Sequence, residues 1–108
     1  MLVSFNLPKP LYLAVVNALT PYLATEAERQ ALLLLALPTA AYQQVDWQGS
    51  AQVFTTNLVN MLLRYGANDK GQPTLITVLD RLHDKVGSDR QQTLAELRTA
   101  LQTHFAAP

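Results

Sequence analysis

No cysteine occurs among the 108 residues of this chain. That excludes disulfides, thiolate metal sites and thiol catalysis, and it fits a reducing compartment. Histidine occurs only at His83 and His104, with neither H-x-x-x-H nor H-E-x-x-H spacing. A zinc site therefore lacks its usual ligands. Glycine is confined to positions 49, 66, 71 and 87, always at a boundary between helical patterns. No G-x-G-x-x-G or Walker-type loop is available to cradle a phosphate. Long apolar runs are missing too. The longest, Ala31–Leu37, is closed by Pro38, far short of the ~20 residues that span a bilayer. The segment Met1 to Pro8 has no basic region and no Ala-x-Ala site, so no signal peptide is expected. A soluble cytoplasmic protein without membrane association follows as the expectation.

An excess of either charge is also lacking: eight basic residues face eight acidic ones. A nucleic-acid binder draws its affinity largely from phosphate neutralisation and shows a basic stripe. None is visible here. The charges are nevertheless unevenly spread. Residues 1–63 carry only Lys9, Glu26, Glu28, Arg29 and Asp46, and all others lie between Arg64 and Arg98 with mixed signs. The first half is apolar and leucine-rich, and the second half supplies most of the charged surface.

What is present is helical periodicity. About half of the residues are hydrophobic, enough for one core in one domain of this size. Residues 1–9 read as an extended N-terminal segment, because Pro8 and Pro10 disfavour helix in the residues before them. A helical interaction domain is expected over 10–105. Leu11, Val15, Ala18 and Leu19 recur at helical spacing, and Pro21 ends or kinks that helix near Leu19–Thr20. Thr25-Glu26-Ala27-Glu28 spells a capping box, in which the threonine accepts from the Glu28 amide and the Glu28 carboxylate returns to the Thr25 amide. The helix Glu26–Leu37 that follows has leucines on nearly all faces. Such a helix is buried on most sides, as a central core helix or as an oligomer or partner interface. Residues 38–49 are the least regular. Ala40-Ala41-Tyr42 fit a short helix, Val45-Asp46-Trp47 an extended stretch, and Trp47 a plug for the core.

The second half has clearer signals. Ser50 is an N-cap. Val53 or Phe54, then Leu58, Met61, Leu62 and Tyr65, form an apolar stripe ending at Gly66, with Asn57, Asn60 and Arg64 opposite. Pro73 opens the next helix, lined by Leu75, Val78, Leu79, Leu82 and Val86 and stopped by Gly87. Ser88-Asp89-Arg90-Gln91 reads as a second capping box, followed by Leu94, Leu97, Leu101 and Phe105. No β-alternation runs far enough for a sheet. The fold class is all-α: a compact bundle of five to six helices.

Chemistry is sparse. Ser4, Ser50 and Ser88 lie in a loop and at two caps, without a G-x-S-x-G elbow. Asp80 and Asp84 sit one turn apart, but Arg81 and Lys85 flank them, as on a solvated charged face. His83 beside Asp84 reads as a surface histidine, and His104 complements a helix C-terminus. No catalytic residue, cofactor or metal is expected. A helix-turn-helix reader would have to use Arg90 and Arg98 alone, which leaves a small helical nucleic-acid-binding regulator as the alternative function.

Several runs carry a family pattern: Glu28-Arg29-Gln30-Ala31-Leu32-Leu33, Val45-Asp46-Trp47-Gln48-Gly49-Ser50-Ala51, and Leu58-Val59-Asn60-Met61-Leu62-Leu63-Arg64-Tyr65-Gly66. Gly71-Gln72-Pro73-Thr74-Leu75, Val78-Leu79 and Val86-Gly87-Ser88-Asp89 continue it. In these runs the chain resembles the bacterial effector-associated domains. The resemblance implies a Death-like helical fold without an active site. It further implies homotypic adhesion that recruits a protease, TIR or NACHT-type effector in bacterial immune or signalling systems. A like domain on an effector or sensor is the expected partner, with homo-oligomers possible and no nucleic acid. The residues expected to dock are Arg64, Asp69, Lys70, Asp80, Arg81, Asp84, Lys85, Asp89 and Arg90, since mixed charges steer encounter and set specificity.

Overall fold

Proline and glycine set the element boundaries. A computed structural model describes residues 7–67 and 71–106. Within it α1 spans Lys9–Leu19, α2 Glu26–Ala36, α3 Thr39–Tyr42, α4 Ala51–Tyr65, α5 Thr74–His83 and α6 Ser88–Ala106. Pro10 lies in the first turn of α1, where its missing N–H removes no helical bond. Pro21 does end that helix, turning Thr20–Tyr22 into one turn of 3-10 helix. Gly66 closes α4 at φ 87°, a conformation that a β-carbon penalises. Thr74, fully buried, then donates its hydroxyl and its amide to the Gly66 carbonyl, each at 3.0 Å. That double bond pattern holds the start of α5 to the end of α4. No strand occurs among the described residues, only an isolated bridge between Ala67 and Pro73. The chain is an all-α bundle of six helices, five long and one short.

The caps form in part as the sequence suggests. Ser50 accepts from the Val53 amide at 3.3 Å. Thr25 accepts from the Glu28 amide at 3.2 Å, but the Glu28 carboxylate takes its return bond from the Thr25 hydroxyl at 2.9 Å rather than from the backbone. At the start of α6 the expected box gives way to a tertiary tie. The Gln91 side chain donates to the His83 carbonyl at 3.0 Å, an orphan acceptor at the end of α5.

One core unites the elements. α5 packs on α2, α4 and α6, and α1 lies across α4 and α6. Leu58, Leu79 and Leu97 all enter this common interior, with Val15, Leu19, Leu33, Phe54, Leu75 and Leu101 among its other members. Burial of each such side chain contributes roughly 1.5–3 kcal/mol. The radius of gyration, 12.9 Å, matches the ~13 Å of a close-packed chain of this length. No described helix is long and apolar enough to cross a membrane.

Two features depart from the leucine-rich reading of α2. Its buried positions are Arg29, Leu32, Leu33 and Ala36, an i, i+3, i+4, i+7 stripe. Leu34 and Leu35 fall off that stripe and are 65% and 59% exposed. The helix is thus buried on one side, not on most sides. The stripe also contains a cation. Arg29 is only 6% exposed and has no carboxylate partner among the described residues. Its Nε donates to the Leu23 carbonyl at 2.8 Å, and its two terminal nitrogens donate to Trp47 and Gly49 carbonyls, both at 3.2 Å. Its guanidinium carbon sits 4.3 Å from the Phe54 ring centroid. Phe54 stacks on Trp47, which meets Tyr42 edge-on. Carbonyl dipoles and an aromatic face replace the water that this charge gives up. The turn before α2, the α3–α4 connection and the start of α4 are thereby pinned to the first turn of α2.

Candidate interaction surface

Among the residues expected to dock, Arg64, Lys85 and Arg90 border three different depressions. Arg81, Asp84, Lys85, Asp89 and Arg90 are exposed where α5 ends and α6 begins, with their signs alternating along the chain. Asp80 is half-buried. It forms an ion pair with Arg98 of α6 and accepts from the Gln72 amide at 3.4 Å, so its carboxylate holds α5 to α6. Arg64 projects from the last turn of α4. Asp69 and Lys70 lie outside the described residues.

Around the α5–α6 corner the surface has relief. A cleft of 240 Å³ is lined by Tyr22, Glu28, Ala31, Leu32, Leu82 and Lys85. Its floor is apolar, and opposite charges stand at Glu28 and Lys85. Tyr22 also borders a 30 Å³ hollow with Ala18, Arg90, Thr93 and Leu94. The half-buried tyrosine thus divides two depressions, each with one of the expected cations on its rim. Leu35 stands one helical turn beyond Ala31 on α2, and Leu34 beside it. Both leucines are exposed on the helix that supplies Glu28, Ala31 and Leu32 to the cleft, and Leu35 lies on the Ala31 side of it.

Leu34, Leu35 and Arg29 are the residues that sequence reasoning misplaced or passed over. For the leucines the spacing alone does not decide, since a helical stripe through Ala31, Leu34 and Leu35 fits it as well as one through Leu32, Leu33 and Ala36. For Arg29 the partners are backbone carbonyls and a ring, which no residue pattern encodes.

Arg64 belongs elsewhere. With Asn57 and Asn60 it lines a groove of 310 Å³ between α4 and the α3–α4 connection, whose wall includes Gln44, Val45 and Asp46. This groove shares no lining residue with the other two depressions. No group of three or more histidine, aspartate or glutamate side chains is placed to hold a metal ion among the described residues. His83 lies 3.8 Å from the Asp84 carboxylate at the surface, and His104 meets Phe105 edge-on. The reactive side chains are thus dispersed, while the apolar and charged ones cluster at a helix corner.

No curated protein and no solved structure matches the chain. The family Effector-associated domain 8 matches over residues 12–101, a span that runs from the first turn of α1 to the last buried leucine of α6. The chain therefore belongs to the effector-associated domain 8 family.

Proposed function

We propose that this domain is a non-catalytic adaptor that recruits an effector by docking onto a like domain. The observation that carries the reading is the exposure of Leu34 and Leu35, 65% and 59%, on the helix that also contributes Ala31 and Leu32 to a cleft rimmed by Glu28 and Lys85. Large apolar side chains kept in water are unfavourable for a lone domain, and a contiguous patch of them marks an interaction site. An apolar centre within a polar rim is the anatomy of a protein interface. The alternating signs of Arg81, Asp84, Lys85, Asp89 and Arg90 suit a partner of the same kind. Under a two-fold axis cations of one copy can face the anions of the other. In this reading the fold is Death-like, the setting is cytoplasmic, and the effector is a protease, TIR or NACHT-type protein of a bacterial immune or signalling system.

Sedimentation velocity tests the proposal. The domain is expected to associate with itself or with a like domain as concentration rises, and the association is expected to weaken as salt rises. Lys85→Glu is expected to weaken it further. A domain that stays monomeric at all concentrations and ignores every like domain offered to it would overturn the reading.

A further inference from the structure

We infer that the groove on α4 captures a peptide chain end through its free C-terminal carboxylate. This site lies apart from the apolar cleft and does not depend on it.

The groove is lined by the polar side chains of Gln44, Asp46, Asn57, Asn60 and Arg64, with Arg64 its one cation. Asn57, Asn60 and Arg64 fall within an arc of roughly 60° on α4 and along about 10 Å of its axis. That length matches about three residues of extended peptide at ~3.3 Å each. The Tyr12 hydroxyl, reaching over from α1, donates to Asn60 Oδ1 at 2.8 Å. With its oxygen engaged, Asn60 offers its NH2 group. The Arg64 side chain has donors only, and neither it nor the side chains of Asn57 and Gln44 make a hydrogen bond or ion pair among the described residues. The single carboxylate of the lining, Asp46, has Oδ1 turned back to accept from the Gln48 amide at 3.1 Å. The opposite wall is held by the buried Arg29, whose bonds to the Trp47 and Gly49 carbonyls fix the α3–α4 connection. The Arg64 guanidinium and the amide NH2 groups favour a ligand that offers acceptors. Arg64, at the end of the row, can form the forked pair that guanidinium makes with a carboxylate. The asparagine amides can bond the carbonyls and N–H groups of the preceding residues. At 310 Å³ the groove is at the low end of ligand sites, about 300–1,000 Å³. That volume suits a terminus with small side chains rather than a chain passing through.

Amide NMR on the whole chain provides the test. N-acetyl-trialanine with a free C-terminus is expected to shift the side-chain amides of Asn57 and Asn60 and the backbone of 57–64, with a low-millimolar Kd. Its C-terminal amide is expected to bind at least about fivefold more weakly, as is the Arg64→Gln protein toward the free acid, in line with an exposed charge pair. Tyr12→Phe is expected to weaken the free acid by about threefold, by releasing the Asn60 oxygen. Unchanged core signals confirm that each variant is folded. Several outcomes overturn the inference: no binding of the free acid, equal binding of the amide, equal binding of N-acetyl-Ala-Glu-Ala-amide, or indifference to Arg64→Gln.

Discussion

Arg29 shows most sharply how one side chain organises this molecule. A buried ammonium would leave two of the three carbonyls without a donor, because lysine has one charged centre where arginine has a planar fork. Arg29→Lys keeps the charge and is nevertheless expected to destabilise the domain by about 1–3 kcal/mol, the range for leaving buried acceptors unsatisfied. A urea titration reads this directly, and an unchanged midpoint would refute the role given to the guanidinium. Gly49 belongs to the same knot. Its φ of 98° leaves a β-carbon only 2.8 Å from a Val53 methyl, so a glycine is what lets its carbonyl face Arg29.

Helix pairing depends on a few polar ties laid over apolar contact. Asp80 and Arg98 join α5 to α6, and Gln91 joins the same two helices at their shared corner. Both members of the ion pair are about one third exposed, 39% for Asp80 and 35% for Arg98, so water and salt screen it. The coupling between Asp80→Ala and Arg98→Ala in a double-mutant cycle is expected to be about 0.3–1 kcal/mol and to shrink in high salt. A coupling of zero at low salt would mean that the pair only decorates an interface held by leucines. The leucines carry the larger share: α5 alone buries Leu75, Ile76, Val78, Leu79 and Leu82.

Across the whole molecule, stability and the proposed docking are expected to draw on different leucines. Leu79 is fully buried, whereas Leu34 is 65% exposed. Leu79→Ala is expected to cost about 2–5 kcal/mol, through lost burial and the cavity left behind. Leu34→Ser is expected to leave the unfolding midpoint within about 0.5 kcal/mol of the parent, as surface substitutions do, and to abolish association with a like domain. Thermal denaturation and sedimentation of the two variants separate the effects. If Leu34→Ser unfolds the domain, that leucine belongs to the core and the docking face lies elsewhere.

Local chemistry was enough to place the elements. Pro21, Gly66, Pro73 and the caps at Thr25 and Ser50 are read from neighbours a few residues apart, so the helices of the second half were legible in number and start, although α5 ends at His83, short of the stop expected at Gly87. The all-α class followed from periodicity for the same reason. Which side of α2 faces the interior was decided only in three dimensions. Leucine satisfies every position of that helix equally well, and the packing of α5 selects Leu32 and Leu33 while releasing Leu34 and Leu35 to the surface. The placing of the charges was decided in three dimensions too: Arg64 on α4 and Lys85 in the α5–α6 connection carry the same charge but border separate depressions. The burial of Arg29 was likewise beyond sequence, since its partners are main-chain carbonyls brought together from segments 6, 18 and 20 residues away.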